Sequence, residues 1–366
     1  MLNSLADLLP SIASREAADS DSYPAASVAD LYAAQIPSAP LRSELGGEGA
    51  SCRQATEAIE LMATASPSLA LLTSMPLGLA GCLAFDVEGP DPEWTRTWHE
   101  QVEAIAADYR AAKIYAACNS EKGAGGSLAA TKTIATRTGD GAFAISGEKI
   151  LASSGENASV FFSTAKVTPE ELPGAGVVEF FFVDAHAPGV NILNDWNGFG
   201  MRSTESHSVR YEGAIASSIL GFPDYIARVQ PLQYFFCLFA AIPLGCARTM
   251  LEALGKPTPQ SAAVRMRLAE AQMRYEAMRA YLLEAADAFR PAAGPAYAAR
   301  VLRTKTYVTQ EATKLCAELF ALSGGRHYSR NSAVARAFAD AFAGTALRPP
   351  LALGLETLTE QFELGE

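Results

Sequence analysis

The chain has 366 residues, 49% of them hydrophobic and 19% charged, with a net charge of -11 at neutral pH. That length and apolar content suffice for two or three packed domains and exclude a disordered chain. The acid excess, with no basic face in evidence, excludes nucleic acid as an expected partner, because phosphate backbones are bound by clustered lysine and arginine.

Up to about Lys113 the pattern is helical, with Ala- and Leu-rich segments such as CRQATEAIELMATASPSLALLTSM broken at LGGEGAS and VEGPDPEW. The first 25 residues lack the basic start and apolar centre of a signal peptide. From about Ile114 to Ile219 the texture changes to short β-prone runs, GAFAISGEKIL, ASVFFSTAKV, GVVEFFFVD and HSVRYEGAI, spaced by turn residues as in a small sheet or barrel. Within this part lies the glycine-rich stretch NSEKGAGGSLAATKT, Asn119 to Thr133. Such a loop can turn several backbone N–H groups toward a phosphate, or serve as an ordinary turn. Neither the P-loop nor the dinucleotide fingerprint fits it.

Helix then returns. The most apolar stretch, Tyr234 to Leu244, is too short to cross a bilayer. Val264, Leu268, Ala271, Tyr275, Met278, Leu282, Ala285 and Phe289 form one stripe at steps of three and four, the signature of a long amphipathic helix. A second stripe, Val301, Val308, Ala312, Leu315, Leu319 and Leu322, follows the PAAGP break, and the two are expected to pack antiparallel in a bundle. The expected organisation is an N-terminal helical domain (1–113), a middle β-barrel domain (114–222) and a C-terminal four-helix bundle (223–366). Six cysteines scattered without a C-x-x-C pair predict reduced thiols, no disulfide, no metal site and a soluble cytoplasmic protein.

Five separated segments, in order, resemble the acyl-CoA dehydrogenase family of flavoproteins across nearly the whole chain. LGGEGAS (45–51) is similar to the family's N-terminal glycine turn, and NSEKGAGGSLAATKT to its flavin loop. SGEKILASSG (146–155) resembles the β segment facing the flavin ring, and WNGFGMRSTESHSVRYEG (196–213) the Gly-Met-Arg-x-Thr segment. LSGGRHY (322–328) resembles the Gly-Gly motif beneath the adenosine diphosphate portion. The resemblance implies FAD as cofactor. Asn119 and Ser120 would meet its pyrimidine edge, and Gly126 and Ser127 its pyrophosphate. Leu151 stands where a stacking tryptophan is usual, Ser153 would donate toward the flavin N5, and Gly324 and Gly325 would carry adenosine contacts. Lys122 either adds charge toward phosphate or lies in solvent, and Trp196, Met201 and Arg202 are read as fold markers.

The resemblance implies α,β-dehydrogenation of an acyl thioester (acyl-CoA or acyl-carrier protein), which needs a carboxylate base at Cα. Both usual positions for it are vacant. Counting from Asp340 reaches Arg348, and counting back from the Pro243 to Gly245 segment reaches Phe235; Glu356 is the remaining candidate, with Glu360 and Glu363 beside it. Arg348 could bind an anion, polarise a carbonyl or cap the preceding helix, but it cannot act as an ordinary base. The partner-reaching Arg-x-x-Phe-Gly motif is replaced by LGKPTPQSAAVRMRLAEAQ, where Lys256, Arg265 or Gln272 could substitute. Two alternatives stand beside the dehydrogenase: a two-component flavin-dependent monooxygenase, and a catalytically degenerate subunit of the same fold. The corresponding partners are an electron-transfer flavoprotein or a flavin reductase, with a homodimer, homotetramer or hetero-oligomer built through the bundle. The four histidines are expected to be surface or structural residues.

Overall fold

Three helices in the first part of the chain start at side chains that take up orphan backbone N–H groups. A computed structural model describes residues 1–256 and 261–363. After α1 (Leu2–Ala18) and α2 (Ala25–Ala33), Ser51 opens α3 (Cys52–Ala65) with a reciprocal capping box to Gln54. Ser66 and Asp91 cap α4 (Pro67–Leu83) and α5 (Pro92–Arg110), each with proline at the first helical position, where the missing N–H costs nothing.

Seven strands follow: β1 (Tyr115–Ala117), β2 (Ile134–Arg137), β3 (Phe143–Ala152), β4 (Val160–Ala165), β5 (Glu179–Asp184), β6 (Val190–Ile192) and β7 (His207–Ile219). Their order is β1-β4-β5-β7-β3-β2, with β6 on β7, and all pairs are antiparallel except β1 with β4. The ring closes where Ala135 donates to the Lys166 carbonyl at 2.8 Å and Lys166 to the Thr133 carbonyl at 2.9 Å, joining β2 to the end of β4. The four β-prone runs of the sequence correspond to β3, β4, β5 and β7; β1, β2 and β6 are too short to stand out by composition.

The period of two explains why the EFFF and VFF runs are apolar on both faces. Phe161, Phe181 and Val183 point into the barrel, whereas Phe162, Phe180 and Phe182 point out, into the helical core. That second core is shared. It unites α3, α4 and α5 with the C-terminal helices α7 (Leu232–Leu254), α8 (Ala262–Asp287), α9 (Pro295–Leu322) and α10 (Ala333–Ala341). The short helices α6 (Tyr225–Val229) and α11 (Ala343–Ala346) and the last helix α12 (Leu351–Glu363) complete the chain. The architecture is the expected one, helices, central β-barrel and helical bundle, but the first and last parts bury one another rather than packing separately.

The sequence expectation for Tyr234 to Leu244 is corrected by α7, which runs 23 residues and by length and apolarity alone could cross a bilayer. Here it is the central core helix, covered by α3, α4, α8, α9 and α10. It approaches α4 closely because α4 presents glycines: a Cβ at Gly78 would stand 2.4 Å from the Phe235 ring, and one at Gly81 2.1 Å from the Tyr234 ring. Gly81→Ala gains helix propensity but must displace that ring, so a net loss of about 1–2 kcal/mol is expected. Urea unfolding measures it, and an unchanged midpoint would refute the close crossing.

Candidate active site

Lys149 lies four residues after Ile145 on β3, so the two share the strand's inner face, and both are fully buried. An ammonium there needs partners. Its Nζ donates to Glu121 Oε1 at 2.7 Å and to the Thr164 carbonyl at 2.6 Å. Glu121 also accepts from the Thr133 N–H (3.1 Å), the Thr133 hydroxyl (2.8 Å) and the Lys132 N–H (2.6 Å). One carboxylate thus ties the start of the glycine-rich loop to its end and both to the barrel. Burial pushes the Glu121 carboxyl up, but Lys149, Thr133 and the Lys132 N–H outweigh it and hold it below the usual 4.5. Sequence reasoning passed over this pair; the available signal was a lysine on the buried face of a strand.

The loop is further strapped down where Ile150 donates to the Ser120 carbonyl at 2.8 Å and Thr164 to Asn119 Oδ1 at 2.9 Å. Gly126, at φ 86°, packs on Pro350, whose Cδ would be 2.3 Å from any Cβ added there.

Asn119, Ser120, Leu151 and Ser153 border a cavity of about 320 Å³ between barrel and bundle. Leu151 is 46% exposed at φ 59°, offering an apolar face at the end of β3. Ser153 Oγ is 2.9 Å from Ser206 Oγ, which is 2.7 Å from the Thr204 hydroxyl, so a hydroxyl chain backs the cavity. The remaining wall is mostly aromatic, including Trp196, Phe199, Phe235, Phe239 and Phe342. Trp196 is fixed because its Nε1 donates to the carbonyls of Met201 (3.2 Å) and Arg202 (3.1 Å). Met201 in turn donates its N–H to Asp340 Oδ1 at 2.6 Å, and burial pushes that carboxyl up to about 7. Arg202 pairs with Asp21 at 2.6 Å.

The other residues singled out from the sequence fall outside this cavity. Gly126 and Ser127 shape the loop beside it, Lys122 is exposed, and Gly324 and Gly325 are exposed beyond the end of α9. Glu356 and Glu360 are exposed on α12, and the side chain of Glu363 lies outside the described residues. Gln272 donates to Glu276 at 2.8 Å, and residues 257–260 of the replaced motif are likewise outside the described residues. None of the four histidines borders the cavity.

Of the two vacant base positions, Phe235 packs 6.2 Å from Phe162 in the cavity wall. Arg348 also borders the cavity. It does not cap the helix before it; its Nη1 donates to the Gly126 carbonyl at 2.6 Å and its Nη2 to the Asn119 carbonyl at 3.3 Å. The carbonyls around it belong to Lys305, a buried residue missed in the sequence, whose Nζ takes those of Gly344 (3.2 Å), Leu347 (2.7 Å) and Pro349 (2.6 Å). Among the described residues, none that borders the cavity is a carboxylate.

Two sequence profiles match this chain: the acyl-CoA dehydrogenase middle domain over residues 116–214 and the acyl-CoA dehydrogenase C-terminal domain over residues 237–347, together more than half of it. The chain belongs to the acyl-CoA dehydrogenase family. Within that family it is 25% identical over 242 residues, 60% of this chain and 61% of the other, to a probable acyl-CoA dehydrogenase, YngJ, of Bacillus subtilis. It is 28% identical over 212 residues, 57% of this chain, to an L-evernosamine nitrososynthase of a Micromonospora species. The matched stretch spans 48% of that relative, so neither is matched over two thirds of its length. FMN-bound TdsC of Paenibacillus sp. A11-2, a dibenzothiophene monooxygenase, superposes with a TM-score of 0.83 at 21% identity, covering 100% of this chain and 97% of that one. At that identity the likeness is one of fold. These two sequence relatives of this acyl-CoA dehydrogenase-family chain thus carry different names, one a probable dehydrogenase and one a nitrososynthase.

Breaking one side of the buried pair, by Lys149→Met or Glu121→Gln, is expected to cost about 3–5 kcal/mol at pH 7. Because the Glu121 carboxyl is held below 4.5, its contribution is complete above that pH and is lost as pH falls through the lower folded-state value. Denaturant unfolding should therefore show the gap between wild type and Glu121→Gln narrowing below pH 4.5, and a gap independent of pH would contradict the pairing.

Proposed function

We propose that the chain is a flavin-dependent oxidoreductase whose reaction is oxygen-dependent, supported by a flavin reductase, rather than carboxylate-initiated dehydrogenation of an acyl thioester. The observation that carries this is the chemistry of the cavity wall: hydroxyls, an amide, aromatic and aliphatic side chains and one guanidinium, and among the described residues no carboxylate to abstract a proton from Cα.

The residues present fit a flavin ring. A flat heteroaromatic with one polar edge wants an apolar ledge beside hydrogen-bonding groups. Leu151 is that ledge, with Asn119 and Ser120 along one side and the Ser153 hydroxyl at the back. When bound, flavin supplies two-electron chemistry: in the reduced state, with dioxygen, one oxygen atom goes to substrate and the other to water. The protein's part is positional. Ser153 and Ser206 hold a hydroxyl against the ring edge, and the Glu121–Lys149 pair keeps the Asn119–Ser120 backbone from moving away. The aromatic wall excludes water from the reacting face. Exposed Gly324 and Gly325 suit contact with a second copy's cofactor, as expected of a homo-oligomer, and six buried thiols suit a cytoplasmic setting.

The α,β-dehydrogenation reading keeps one support, the similarity to YngJ, and would need a base from outside the cavity wall. Purified protein loaded with flavin separates the readings. Product formation that requires oxygen and a reductase is expected. Anaerobic bleaching of the flavin by an acyl-CoA would instead establish the dehydrogenase, and a chain that takes up no flavin would be a degenerate subunit. FMN and FAD are expected to bind within a few-fold of each other, since the partner-reaching arginine motif is replaced. Visible-absorbance titration checks this, and a hundred-fold preference for FAD would contradict it. Ser153→Ala should weaken flavin binding by about five- to ten-fold, the loss of one hydrogen bond.

A further inference from the structure

The position that should hold a base holds a fixed cation with no counter-ion. Among the described residues Arg348 is the one charged residue bordering the cavity, and none of their carboxylates lies within ion-pair distance of it. Its two hydrogen bonds, to the Gly126 and Asn119 carbonyls, use two of the five N–H donors of a guanidinium. A charge placed against apolar walls without an opposite charge is costly, and two neutral carbonyls offset only part of that cost. Burial accordingly draws the Arg348 pKa down, with Glu121 acting the other way.

The guanidinium is also held in advance. Lys305 grips the carbonyls on both sides of it, and Pro350 wedges against Gly126, so the side chain loses little freedom when a ligand arrives. Eight aromatic side chains line the same cavity.

Resting on the reading of this cavity as the substrate site, we propose that its substrate is an aromatic organic anion, the ring system against the phenylalanine wall and the acid group on Arg348. A bidentate carboxylate is the geometry a guanidinium favours. Neither a neutral aromatic nor an uncharged thioester carbonyl would balance the charge. The substrate is thus selected by charge at the position where much of the family abstracts a proton.

The test compares 2-naphthoate with 2-naphthamide, of the same size and shape, by calorimetry on the protein as purified and after loading with FMN. Wild type is expected to bind the acid about ten-fold or more tightly than the amide, the worth of a charge-assisted contact. In Arg348→Gln that ratio should fall to within about three-fold, and Arg348→Lys should retain part of it. Loss of a merely structural tie between loop and bundle would weaken acid and amide alike. Equal binding of the two in wild type, binding of neither, or a ratio unchanged in Arg348→Gln overturns the proposal; the wild-type comparison holds even if a variant fails to fold. If Arg348→Gln weakens FMN relative to riboflavin and leaves the acid-to-amide ratio intact, the guanidinium serves the cofactor's phosphate and the proposal is wrong. Acid preference in a protein that takes up no flavin keeps this inference and removes the flavin reading instead.

Discussion

The Glu121–Lys149 pair is the constraint on which the site depends. A glycine-rich loop has many conformations open to it and loses them at an entropic cost on folding. Here the cost is met at one carboxylate, which takes an ammonium from β3, two backbone N–H groups and a hydroxyl from the far end of the loop. Asn119, Ser120, Leu151 and Ser153, which border the cavity from the barrel side, are each within a few residues of one partner or the other. The burial that makes the pair expensive to break is also what gives the loop a single position.

From the bundle side a second buried lysine does comparable work. Lys305 gathers the carbonyl of Gly344 in α11 and those of Leu347 and Pro349 just after it, and Arg348, projecting from that segment, reaches back across to the loop. The two halves of the cavity are therefore joined by a hydrogen-bonded bridge, where a family member with a glutamate at this position would present a base. The same fold and the same cavity thus support a different chemistry, because function resides in the groups at the site rather than in the architecture.

Much of the fold was legible. The breaks at LGGEGAS and VEGPDPEW coincide with the starts of α3 and α5, and the stripe beginning at Val264 marked α8 to within two residues of its observed ends. Among the β runs, those of β4 and β5 are conspicuously apolar because their inner and outer faces are both buried. Candidate residues near the barrel, Ser120, Leu151, Ser153, Phe235 and Arg348, were found by order of motifs, and all five border one cavity. What composition could not reveal were the short strands, the full length of α7 and the sharing of one core by the first and last helices.

The sequence by itself determined most of the secondary structure, the family and the vacancy at both base positions, because these follow from local pattern and motif order. Tertiary structure alone decided that Lys149 meets Glu121, that Lys305 and not Arg348 takes up the carbonyls at and after the end of α11, and that among the described residues Arg348 alone brings a charge to the cavity wall. Those facts depend on residues far apart in the chain, and in Arg348 the charge faces a cavity only because strands and helices distant in sequence enclose it. A pattern along the chain records what each residue prefers; what charge it must balance is set by its neighbours in space.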